Sequence, residues 1–167
     1  MSETVQIAGI ETDSIVDGPG IRYTVFTQGC PHHCPGCHNP ETHSLEGGKT
    51  VDIDVIARAI QKDPLCAGVT LSGGEPLCQP KPLTLLAEKV NAMGKNVVCY
   101  TGYTWEHLMQ QQDPDIMALL HQCKYVIDGP FVQELRTLMI KFRGSSNQRI
   151  IDVKASFEQG RAVEADL

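Results

Sequence analysis

The sequence predicts an α/β fold: a partial, open barrel built on a mainly parallel sheet. Three observations carry this expectation. Short β-branched runs alternate with stretches of helical periodicity, the order that βαβ units require. The chain has 167 residues, whereas a closed eight-fold barrel takes about 250. Finally, residues unusual for ordinary loops follow successive strands: Gly29-Cys30, Gly73-Gly74-Glu75, Thr101-Gly102-Tyr103 and Asp128-Gly129-Pro130. In parallel α/β folds that edge is where ligands bind, so these motifs are expected to converge on one site.

The elements follow in order. Val5 to Ile10 reads as an edge strand, and Arg22 to Thr27 (RYTVFT) is a strand by its β-branched and aromatic content. A loop from Gln28 to Gly48 holds three cysteines. Asp52 to Gln61 is a helix, with Ile53, Ile56, Ala57 and Ile60 on one face. Val69 to Ser72 is a short buried strand. Leu83, Leu86, Ala87 and Val90 mark a helix that Gly94 stops. Asn96 to Thr101 is a strand, and Thr104 caps a short helix through Trp105 and Leu108. Asp113 and Pro114 open a helix carrying Ile116, Leu119, Leu120 and Cys123 on one face. Tyr125 to Ile127 and Arg149 to Val153 are the last strands. The polar tail from Lys154 to Leu167 is expected to be mobile. One domain over residues 1–167, with its core at about 14–153, accounts for these elements.

Hydrophobic residues make up 41% of the chain and the formal net charge is −6. There is no dense Lys/Arg run, which argues against a nucleic-acid partner. No apolar run approaches the ~20 residues that cross a membrane, and Met1 to Gly9 lacks the pattern of a secretory signal. The expected location is the cytoplasm. The seven cysteines are odd in number and unevenly spread, which favours a metal site plus buried thiols over a disulfide framework. Cys66, Cys78, Cys99 and Cys123 need no function, and Trp105 is expected to pack on the sheet.

The segment Cys30-Pro-His-His-Cys34-Pro-Gly-Cys37 concentrates the chemistry. Three thiolates from one tight loop can hold three corners of an iron–sulfur cube. The missing fourth cysteine matters most, because an iron left open can bind a substrate. Zinc is the alternative: His32, His33, His38 and His43 could complete a Cys3His site.

The Cys-x3-Cys-x2-Cys spacing resembles the radical S-adenosylmethionine (SAM) superfamily. Asp17-Gly-Pro-Gly-Ile-Arg22 is similar to the segment preceding the cluster in activases of glycyl radical enzymes. Ser72-Gly-Gly-Glu-Pro76 resembles the SAM-binding motif of the superfamily. Tyr100 to Tyr103, Asp128 to Phe131 and Arg143 to Arg149 (RGSSNQR) resemble the subgroup that acts on anaerobic ribonucleoside-triphosphate reductase. The resemblance runs from about residue 14 to 153.

It implies the open barrel of the radical SAM type, one [4Fe–4S] cluster on Cys30, Cys34 and Cys37, and SAM bound at the open iron. One electron cleaves SAM to methionine and a 5′-deoxyadenosyl radical, which takes hydrogen from a glycine of the reductase. Gly36, Cys37 and His38 would lie beside the adenine. Gly73 and Gly74 would admit the methionine moiety, and Glu75 would accept from its amino group. Asp128 would hold a ribose hydroxyl or a cation. The Asp17 to Gly20 turn would shape the approach to the site, Arg143 would dock the partner or fold back on the core, and a lateral opening would admit the partner's loop. A flavodoxin or ferredoxin would donate the electron. Gly36 stands where many superfamily members carry an aromatic residue, and His38 where the subgroup often has tyrosine, so a stacking contact with adenine would be weaker or come from imidazole. The competing readings are an activase of another glycyl radical enzyme, a small-molecule radical SAM enzyme such as a deazapurine synthase, an electron carrier, and a zinc module.

Overall fold

The computed structural model describes residues 3–14, 18–29, 48–137, 142–143 and 145–165. They form one seven-stranded sheet with helices. The strands are β1 (Thr4–Ser14), β2 (Arg22–Thr27), β3 (Lys49–Asp52), β4 (Gly68–Gly73), β5 (Asn96–Tyr100), β6 (Tyr125–Asp128) and β7 (Arg149–Asp152). The helices are α1 (Ile53–Gln61), α2 (Pro80–Ala92), α3 (Trp105–Gln111), α4 (Pro114–Gln122) and α5 (Val153–Gln159). No described helix is long and apolar enough to cross a membrane.

The strand order is β3-β1-β2-β4-β5-β6-β7. The middle strands β2, β4, β5 and β6 run parallel. The flanking pairs β1–β2, β1–β3 and β6–β7 are antiparallel, so the sheet is mixed rather than mainly parallel. It is also open, with β3 and β7 at its two ends. Each parallel neighbour needs a crossover, supplied between β4 and β5 by α2 and between β5 and β6 by α3 and α4.

Two sequence expectations change. Val5 to Ile10 belongs to an interior strand, because β1 lies between β2 and β3. The edge strand is Lys49–Asp52, whose KTVD sequence is too short and polar to announce itself. The tail is also built differently: α5 begins at Val153, capped by Asp152, which accepts from the Ala155 amide at 3.0 Å. Phe157 of α5 packs its edge on Trp105 at 5.1 Å and stacks on His121 at 4.0 Å. The chain then returns along β7, where the amides of Asp152 and Ala165 donate to the carbonyls of Val163 and Ile150. These bonds cover a strand edge that would otherwise be open to another chain.

The pleat sends alternate residues to opposite faces. Val69, Leu71, Val97, Cys99, Val126 and Ile151 join the helices in the main core. Ile56, Ile60, Leu83, Leu86, Leu119 and Leu120 meet them there, as their helical spacing predicts. A smaller cluster of Val98, Ile127 and Ile150, with Tyr100 and Phe142 against it, sits apart from this core.

Arg22 opens β2 and is 0% exposed. Its guanidinium donates to Thr70 Oγ1 at 2.7 Å and to the carbonyls of Pro19, Val69 and Asn96 at 3.0, 2.9 and 3.1 Å. One side chain thus ties the beginnings of β2, β4 and β5 to the turn before β2. The described part of that turn, Gly18 to Gly20, therefore braces the sheet edge opposite the strand ends, roughly 17 Å away along β2. It does not shape the approach to the strand-end motifs. Asp17 lies outside the described residues.

Candidate functional site

The parallel register aligns Thr27 with Gly73 and Tyr100 with Ile127. The segments after β2, β4, β5 and β6 therefore emerge at one edge, as the sequence leads one to expect. Hydrogen bonds join them into a continuous rim. The amides of Gly74 and Glu75 donate to the carbonyls of Thr27 and Gly29 at 2.9 and 2.7 Å. Gly129 N–H donates to the Tyr103 carbonyl at 3.0 Å.

Gly73 has φ +97°, and a Cβ on it would lie 2.5 Å from the Thr27 nitrogen and 2.7 Å from the Phe26 carbonyl carbon. Backbone cannot yield as a flexible side chain can. Gly73→Ala is expected to cost about 2–4 kcal/mol from the left-handed conformation and the overlap together, read by denaturant unfolding. A loss below 1 kcal/mol would show that β2 need not press so closely on this turn.

Glu75 is 0% exposed. It caps the 3-10 turn Pro76–Cys78, with Oε2 accepting from the Leu77 amide at 3.2 Å. Its Oε1 accepts from Thr101 Oγ1 at 2.9 Å and from the Gly102 amide at 2.7 Å. Thr101 Oγ1 in turn accepts from the Tyr103 amide at 3.1 Å.

Asp128 is 1% exposed. Its Oδ2 accepts from the Trp105 amide at 2.8 Å and from Arg149 Nη2, and its Oδ1 accepts from Arg149 Nε at 3.0 Å. Arg149 Nη2 also reaches Glu106 Oε1 at 2.8 Å. The hydrogen bonds it donates to Asp128 hold the Arg149 guanidinium above its ordinary range. The hydrogen bond from Arg149 lowers the Glu106 carboxyl.

The run Arg143 to Arg149 is largely an internal brace. Asn147 Nδ2 donates to the Pro130 carbonyl at 2.8 Å and Gln148 Nε2 to the Gly129 carbonyl at 3.1 Å. Ser145, fully buried, donates through Oγ to Asn147 Oδ1 and accepts from the Val132 amide at 3.2 Å. Arg149 itself turns back onto Asp128, while Arg143 is half-buried.

Cys30, Cys34, Cys37, Gly36 and His38 lie outside the described residues, as do His32, His33 and His43. Gly29, the residue before Cys30, is fastened to Glu75 at the rim. Among the described residues no group of three metal-ligating side chains occurs. Cys66, Cys99 and Cys123 are buried and Cys78 is exposed, none of them in a disulfide. Hydrogen bonding with the Cys123 thiol and then burial push the Cys99 thiol well above its ordinary range, so it stays protonated and inert near neutral pH. A groove of about 460 Å³ between α1 and α2 is spanned by the Lys89–Asp54 ion pair at 3.1 Å and is remote from the rim.

Residues 16–151 match the family described as a 4Fe-4S single cluster domain. Over 142 residues the chain is 37% identical to the anaerobic ribonucleoside-triphosphate reductase-activating proteins of Salmonella typhi and of Escherichia coli (strain K12), covering 80% of this chain and 90% of each relative. This chain belongs to the anaerobic ribonucleoside-triphosphate reductase-activating protein family. The pyruvate formate-lyase-activating enzyme of Clostridium pasteurianum is 34% identical over 125 residues, 70% of this chain and 52% of that enzyme. For this member of the activating-protein family, the sequence singled out Glu75 and Asp128 but not their partners. Thr101 and Arg149 were visible only as parts of motifs. Glu106, four positions before Gln110 on an unremarkable polar helix face, gave no signal of its own.

Proposed function

We propose that this chain holds one [4Fe–4S] cluster on Cys30, Cys34 and Cys37 and uses it with SAM to place a glycyl radical in an anaerobic ribonucleoside-triphosphate reductase. The observation that carries the reading is the convergence of Gly29, Gly73 to Glu75 and Thr101 to Gly102 on one hydrogen-bonded rim, in a chain 37% identical to reductase-activating proteins.

When bound, a cluster with one open iron supplies the electron that cleaves SAM to methionine and a 5′-deoxyadenosyl radical. The protein's part is positioning. The three thiolates would hold the cluster at the end of β2. The Gly73–Gly74 backbone, with Glu75 beside it, would receive the methionine end of SAM. Gly36, Cys37 and His38 would border the adenine, and Asp128 would hold the β6 end of the rim near the ribose. The sheet, open at both ends, would curve as a partial barrel within a single domain, and the protein would act in the cytoplasm. Its open side would let a loop of the folded partner bring its glycine to the radical. A flavodoxin or ferredoxin would supply the electron.

The test is anaerobic incubation of iron-loaded protein with SAM, reductant and the reductase, followed by electron paramagnetic resonance. A glycyl doublet on the reductase is expected. SAM cleavage without that doublet would assign a different partner, which the similarity to a pyruvate formate-lyase-activating enzyme makes the second reading. Stoichiometric zinc without iron after anaerobic reconstitution would overturn the cluster.

A further inference from the structure

Among the described residues, Glu75 offers its carboxylate to the Thr101 hydroxyl and the Gly102 amide at Oε1, and to the Leu77 amide at Oε2. The two amides can only donate, and Thr101 Oγ1, which accepts from the Tyr103 amide at 3.1 Å, lies 2.9 Å from Glu75 Oε1. The far end of the same segment is anchored independently, by Gly129 N–H on the Tyr103 carbonyl and by Asp128 on the Trp105 amide. The near end is also held from β6, the Thr101 amide donating to the Ile127 carbonyl at 2.9 Å, and Glu75 is what links it to the Gly73–Gly74 turn.

We propose that Glu75 is a positioning residue: it fastens the Thr101–Gly102 turn to the Gly73–Gly74 turn and so sets the gap between two backbones that receives the methionine end of SAM. The inference rests on the functional reading above and adds Thr101 to the residues that determine SAM affinity. A carboxylate acting chiefly by direct contact with the ligand would not need Thr101. A carboxylate acting through the β5 turn does.

Glu75→Ala removes both acceptor oxygens and with them the clamp, whereas the carbonyl of Glu75→Gln can still accept from Thr101 and Gly102. Thr101→Val keeps the shape and removes the hydroxyl, and Thr101→Ser restores it. SAM binding to the iron-loaded protein is measured by anaerobic calorimetry, and amide exchange over residues 101–104 by mass spectrometry without SAM. Thr101→Val is expected to weaken SAM binding about tenfold, with Thr101→Ser close to the parent. Glu75→Ala should weaken it at least as much, and the double variant no further. Gly102 should lose exchange protection in Glu75→Ala. Parental SAM affinity in Thr101→Val, or effects of the two substitutions that simply multiply, would overturn the proposal. Should the iron-loaded parent bind no SAM, the functional reading falls, while unchanged Gly102 exchange in Glu75→Ala would overturn the clamp itself.

Discussion

Cys34→Ala is expected to abolish glycyl radical formation and to drop the iron content of anaerobically reconstituted protein from about four per chain to below one. Cys30, Cys34 and Cys37, which follow Gly29 in the chain, are the thiolates that the proposed function places on one cluster. With three ligands and one open iron, the loss of any one leaves two thiolates to bind a multi-iron core. Alanine is the informative substitution, because a serine oxygen could still ligate. Cys30→Ala and Cys37→Ala should behave alike. Cys66→Ala is the control: Cys66 is buried, its thiol donates to the Gly68 carbonyl at 3.2 Å, and it stands at the start of β4, the end away from the rim. Iron analysis and electron paramagnetic resonance read both outcomes. A Cys34→Ala protein that keeps its full iron and still yields the doublet would remove Cys34 from the cluster.

Arg22→Met should destabilise the fold by about 3 kcal/mol, although Arg22 lies at the sheet edge opposite the rim. The methionine stem fills much of the same space, so the effect isolates the guanidinium. Its removal leaves the carbonyls of Pro19, Val69 and Asn96 and the Thr70 hydroxyl without that donor, and a buried polar group left unpaired costs about 1–3 kcal/mol. Burying the cation offsets part of this, as its pKa shows: desolvation lowers Arg22 to about 10. The sign follows. A cation with a folded value below its unfolded one binds more protons when unfolded, so stability rises with pH only from about 10 upward. Below that window the cost of burial is constant, and the loss in Arg22→Met should be the same at pH 6 and pH 8. Urea unfolding at both values measures it, with a midpoint in thermal unfolding lower by roughly 6–12 °C. Arg22→Lys should recover less than half, since one ammonium cannot span acceptors on β4, β5 and the preceding turn. A loss under 1 kcal/mol in Arg22→Met would show that the strand beginnings are held by the ladder alone.

Much of this was legible in the chain because the relevant signals are local. Ile53, Ile56, Ala57 and Ile60 recur at helical spacing and are the residues α1 buries. Thr104 and Asp113 have the short acceptor side chains that cap helices, and both do so. The strand-end motifs were recognisable because special residues repeatedly stand where a β-branched run stops. Lys49–Asp52 was illegible for the converse reason: a four-residue polar edge strand owes its form to pairing with β1, not to its own propensity. Nor did Arg149–Asp152 declare its direction, since a strand's side-chain alternation is the same whichever way its neighbour runs.

By itself, then, the sequence determined the alternation of strands and helices, the apolar faces they bury and the gathering of cysteine, glycine and carboxylate motifs at strand ends. Periodicity and capping act over one or two turns of chain, and one chain records them completely. Tertiary structure alone decided that β1 is interior, that β7 runs antiparallel to β6, that Arg22 braces the far edge and that Glu75 grips Thr101 across 26 positions. Those outcomes depend on which distant groups the packed sheet brings within hydrogen-bond reach, and a buried charge takes its partners from that packing.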